Sequence, residues 1–80
     1  FALNAPLAWE LAGHLAKRAQ TEAGDNPKAQ VKHLYLLLLS RLPAAKELEI
    51  GLALLSQEKE EHLRQYTHLM FGLNEFIYVN

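Results

Sequence analysis

Three breaks cut these 80 residues into pieces that only short helices fit. The first is the turn-forming stretch T-E-A-G-D-N over 21–26 with Pro27 behind it, the second is Arg41-Leu42-Pro43, and the third is the polar run S-Q-E-K-E-E over 56–61. Glycine supplies left-handed backbone at little cost, and the residue ahead of a proline is pushed out of the helical region. Between the breaks the apolar residues recur three and four positions apart, and no period-two alternation is long enough to argue a strand. The pattern predicts an all-α chain, a compact array of four short helices with no sheet, arranged as a bundle or with crossed axes. Corners this short favour antiparallel neighbours.

The first helix is expected over 6–20, with Pro6 in the opening turn and Asn4 or the Ala5 backbone at the cap. Its apolar stripe is read as Leu7, Leu11 and Leu15 with Ala8, Ala12 and Ala19. The second helix, over 27–40, has Val31, Leu34 and Leu38 on one face, while Tyr35, Leu36, Leu37 and Leu39 carry apolar surface most of the way round. A helix apolar on nearly every side is expected at the centre of an array. The third, over 44–56, gathers Leu48, Gly51, Leu52 and Leu55 on one face, with Ile50 and Leu54 on a flank and Lys46, Glu47 and Glu49 in water. Gly51 costs about 1 kcal/mol of helix propensity relative to alanine, which is tolerated where another helix approaches closely. The last helix starts from the acidic corner and is expected to reach about residue 73 or beyond. Leu63, Tyr66, Met70, Leu73 and Ile77 recur on it at helical spacing, and Thr67 and Asn74 share their face. Asn74 on such a face requires a specific hydrogen-bond partner.

A chain of this length is one domain at most and buries only roughly 60–65% of the surface its unfolded form exposes. Eight basic side chains against nine acidic ones give a net charge of -1. That is no basic footprint for neutralising phosphates, so nucleic acid is not an expected partner. The lack of cysteine excludes disulfides, thiolate catalysis, iron–sulfur ligation and covalent c-type haem attachment within these residues. The longest unbroken apolar run, 34–39, falls far short of the roughly 20 residues of a spanning helix, so no membrane span is expected. A start at Phe1, with neither Met nor a charged leader, predicts a piece of a larger multidomain protein.

Four histidines, His14, His33, His62 and His68, are the obvious candidates for metal, haem or acid–base chemistry. His62 and His68 are six residues apart and point about 120° away from each other on a helix. Neither H-x-x-x-H nor H-E-x-x-H occurs. Two readings stand open: rim histidines without a cofactor, or a redox-associated module in which His33 and His62 or His68 meet across helices at a haem or metal. Glu58, Glu60 and Glu61 read as an acidic helix start, Ser40 and Ser56 as local hydrogen-bonding residues at helix ends, and Met70 as core filler. No catalytic, cofactor-binding or metal-binding residue is assigned, and the expectation is a non-enzymatic packing or docking module. The large rings at Trp9, Tyr35, Tyr66, Phe71, Phe76 and Tyr78 are many for so small a core, and aromatic residues are over-represented at binding hot spots. Trp9, Phe76 and Tyr78 form the expected interaction surface, with the apolar end 75–80 docking against Trp9 and the first helix or against another chain. Upstream domains of the same parent, or a second copy in a homodimer, are the partners this implies.

Three segments, L-N-A-P-L-A-W-E, L-Y-L-L-L-L-S-R-L-P and L-N-E-F-I-Y-V, stand in an order that resembles the C-terminal part of the planctomycete PSD-one domain of unknown function, DUF1553. The similarity spans nearly the whole chain. Ser40 stands where that family usually has glycine, Gly72 precedes Leu73, and Ala44-Ala45 replaces a more usual Thr-Pro helix start, which weakens the third helix's cap. The resemblance implies a C-terminal module of a long, exported protein that often also carries cytochrome-c-like domains. It brings no catalytic residue. The polar positions matching the family pattern are Tyr35, Arg41, Asn74 and Glu75, beside Asn4. Their structural uses would be a buried ring with a reachable hydroxyl at Tyr35, a helix end at Arg41, a cap at Asn74 and a partner for Arg41 at Glu75.

Overall fold

A computed structural model describes residues 5–56 and 61–71, and these form four α-helices: α1 (Ala5–Ala23), α2 (Pro27–Leu39), α3 (Ala45–Leu55) and α4 (His62–Met70). The all-α architecture is the one the breaks predict, and the described residues contain no strand. Asn4, Glu58, Glu60, Leu73, Asn74, Glu75, Phe76, Ile77 and Tyr78 lie outside the described residues, and so do the roles expected of them.

Each corner has a local cause. Ala23 ends α1 three residues later than expected, because Arg18 Nε bonds Glu22 Oε2 at 2.9 Å, four residues on, and the Gly24 N–H reaches the Gln20 carbonyl at 2.9 Å. Gly24 then reverses the chain with φ 76°, left-handed backbone that glycine adopts without a Cβ clash. Asn26 caps α2 by accepting the Ala29 N–H at 3.2 Å, and Pro27 opens the helix where its missing donor costs nothing. Buried Gln30 donates to the Gly24 carbonyl at 2.6 Å, tying the corner to α2. Ser40 is the C-cap rather than the last helical residue; its φ is 57°, and its N–H reaches the Leu36 carbonyl at 3.2 Å.

Ala44 offers no side-chain oxygen as N-cap of α3, so Glu47 Oε1 reaches back to accept the Ala44 N–H at 2.8 Å. Glu61, also left-handed at φ 59°, precedes α4. That helix ends at Met70, short of residue 73, where the Phe71 N–H bonds the His68 carbonyl at 3.2 Å in a tightened last turn.

The helices pack in a closed ring: α1 meets α2, α2 meets α3, α3 meets α4, and α4 returns to α1, its most extensive contact. Contact across the two diagonals is slight. A ring of four gives every helix two neighbours and an outer face, and this overturns the expectation that α2 is central. Val31, Leu34 and Tyr35 are buried, whereas Leu36 is 47% exposed and Leu37, Leu38 and Leu39 are half-buried.

The stripe expected on α1 holds in its alanines, Ala8, Ala12 and Ala19, and changes in its leucines. Its seam is alanine, with Ala8, Ala12, Ala16 and Ala19 all buried, while Leu11 and Leu15 flank it and Leu7 is exposed. Small side chains let α2 and α4 both approach one face of α1, and leucines there would hold them apart.

The main core joins Ala16 and Ala19 to Val31, Leu34, Tyr35, Leu55, Leu63, Tyr66 and Met70. A second cluster sets Phe71 on Ala8 and Ala12, and Leu15 and Leu38 pack against both. Thr67, fully buried, donates its hydroxyl to the Leu63 carbonyl at 2.8 Å and so costs little in an apolar setting. Gly51 is needed for a close approach, since a Cβ there would lie 2.7 Å from the Tyr66 hydroxyl and 3.1 Å from Val31 Cγ1.

Candidate functional site

The face shared by α3 and α4 combines a recess with exposed apolar rims. Ile50, one turn into α3, is 55% exposed, and Leu69, in the last turn of α4, is 59% exposed. Between them lies a half-open recess of about 160 Å³, lined also by Tyr35, Glu47, Leu54, Tyr66 and Met70. A space of this size takes roughly one aromatic ring or one branched aliphatic side chain. Drug-sized ligands usually fill at least about 300 Å³.

The polar floor is fully engaged. Burial, first, and the neighbouring Tyr35 hydroxyl push the Tyr66 hydroxyl's ionisation up, so it remains a neutral hydrogen-bonding group. Arg41 grips Glu47 through two parallel bonds, Nη1 to Oε1 at 2.8 Å and Nη2 to Oε2 at 2.9 Å, and its guanidinium stands 5.4 Å from the centre of the Tyr35 ring. The Arg41 bonds, and then the Ala44 N–H, hold the Glu47 carboxyl down at about 2. The partner of Arg41 is thus Glu47, which sequence reasoning had placed in water; a half-buried carboxylate is stable there because two neighbours bond its charged form. No buried side-chain polar atom among the described residues lacks a partner.

Trp9 is half-buried and turned toward α4. The Arg64 guanidinium lies 4.1 Å from its ring centre, Arg64 Nε donates to the Trp9 carbonyl at 2.9 Å, and Glu61 Oε1 is 3.5 Å from Arg64 Nη1. His68 meets the indole edge-on at 5.4 Å between ring centres and Phe71 at 6.4 Å. The approach of Arg64 is possible because Gly13 faces it: a Cβ there would lie 2.9 Å from the guanidinium carbon. Beside this contact an open groove of about 380 Å³ runs between α1 and α4, bordered by Lys17, Gln20, Glu61, His62 and Arg64 with Ala16 and Leu63.

The histidines have separate surroundings. His33 Nε2 is bonded to the Glu22 carboxylate, which clasps the end of α1 to α2 and, after Arg18, helps lower the Glu22 pKa. His62 borders the groove between α1 and α4, His68 stacks with Trp9 and Phe71, and His14 is exposed. Among the described residues no three His, Asp or Glu side chains converge as a metal site would require, and no helix is long and apolar enough to cross a membrane.

Sequence reasoning missed Arg64 and Leu69. Leu69 is three residues from Tyr66, just off the buried stripe of α4, and an apolar residue at that offset signals a face wider than the core uses. Arg64 carries no such signal, because the carbonyl and ring that it meets lie 55 residues earlier. Comparison with known proteins finds no matching family model, no matching curated protein and no matching solved structure.

Proposed function

We propose that this chain is a non-catalytic helical module that packs and docks a larger protein, with the α3/α4 face as its working surface. The observation that carries the reading is the pair Ile50 and Leu69, each more than half exposed beside a recess of about 160 Å³. Exposed leucines scattered singly are ordinary; two beta- or gamma-branched side chains framing a recess offer a partner side chain both a hole and a rim. Everything polar around the recess already has a partner, so a visiting apolar group strands no buried donor or acceptor. That favours docking over chemistry at this face. Phe76 and Tyr78 remain, on sequence grounds alone, a second candidate surface, and the Trp9 ring expected beside them is occupied by Arg64 and His68.

We further propose, from the three sequence segments alone, kinship with the PSD-one family and hence a place beside other domains of a parent protein. The redox alternative gains no specific support, since His33 and His68 each serve a packing or clasping contact.

The test is the solution mass by light scattering from micromolar to millimolar concentration, where a second copy is the apolar partner on offer. Docking through this face predicts a mass that rises with concentration, and monomers throughout for Ile50→Asp and Leu69→Asp. Each substitution should cost no more than about 1 kcal/mol, from the poor helix propensity of Asp and, at Leu69, its charge at a helix C-terminus, because both side chains already face water. Equal masses for wild type and both variants would overturn the assignment of the surface.

A further inference from the structure

We draw no further inference here: the strongest candidate, the apolar recess between α3 and α4 floored by Tyr35 and Tyr66, belongs to the surface already proposed, and nothing in the structure shows which molecule covers it.

Discussion

Replacing Gly51 by alanine sets two effects of opposite sign against each other. Alanine in a helix interior gains about 1 kcal/mol over glycine when nothing else touches it. Here the added methyl would sit 2.7 Å from the Tyr66 hydroxyl, 3.1 Å from the adjoining ring carbon and 3.1 Å from Val31 Cγ1. Ordinary carbon contacts begin near 3.5 Å, so both neighbours must retreat. Neither does so freely: Val31 is fully buried, and Tyr66 is 5% exposed with its hydroxyl bonded to Tyr35. Overpacking of this kind costs about 1–3 kcal/mol, and the fracture of the Tyr35–Tyr66 contact adds to it. The net expectation is a loss of about 1–2 kcal/mol, seen as a drop of about 4–8 °C per kcal/mol in the far-UV dichroism melting curve. Tyr66→Phe alone should cost about 1 kcal/mol for its hydrogen bond, but in the Gly51→Ala background it removes the nearest clashing atom. The double variant should therefore be more stable than the sum of the single losses predicts, a coupling that a double-mutant cycle measures directly. Gly51→Ala as stable as wild type or more so, or a cycle with no coupling, refutes the close approach of α4 to α3.

Acid should weaken the domain through Glu47. Its carboxyl titrates at about 2 in the fold against 4.5 when free, so it stabilises fully above 4.5 and the contribution fades as pH falls toward 2. Both side chains of the pair are about one-third exposed, and screening reduces the loss to about 1 kcal/mol; Glu47→Gln should flatten that segment of the acid profile, and superimposable profiles would count against the pairing. Ser40→Gly should gain about 0.5–1 kcal/mol in urea denaturation, because serine holds φ 57° against its own Cβ; a loss would mean that the left-handed C-cap is misassigned. Arg64→Ala should cost about 1–2 kcal/mol and shift Trp9 emission to the red as water reaches the indole, with Arg64→Lys intermediate because it lacks the planar stack. Emission that stays fixed in both variants would place Arg64 elsewhere.

The four helices and their corners were legible in the sequence because their causes are local. Gly24 in the left-handed region, Asn26 with Pro27, the break at Leu42-Pro43 and the polar run before α4 act within one turn of backbone; the ends of α1, α2 and α3 fall within about three residues of those expected, while α4 stops at Met70. Periodicity likewise marked Val31, Leu34, Leu55, Leu63, Tyr66 and Met70 as apolar partners at helical spacing, and all are buried. The glycine at 51 announced a close approach, though not by which atom.

What periodicity could not decide is which of several apolar faces a helix buries. On α1 the leucines and the alanines lie side by side, and burial went to the alanines because α2 and α4 both close on that face. On α2 the run of leucines suited a central position, yet a ring of four has no centre to occupy, and Leu36 is left in water. The partner of Arg41, the grip of Arg64 on Trp9 and the recess framed by Ile50 and Leu69 are likewise products of assembly. A sequence specifies the backbone's turns through neighbours a few residues away, whereas a surface is whatever the packed helices leave uncovered, and that depends on all four at once.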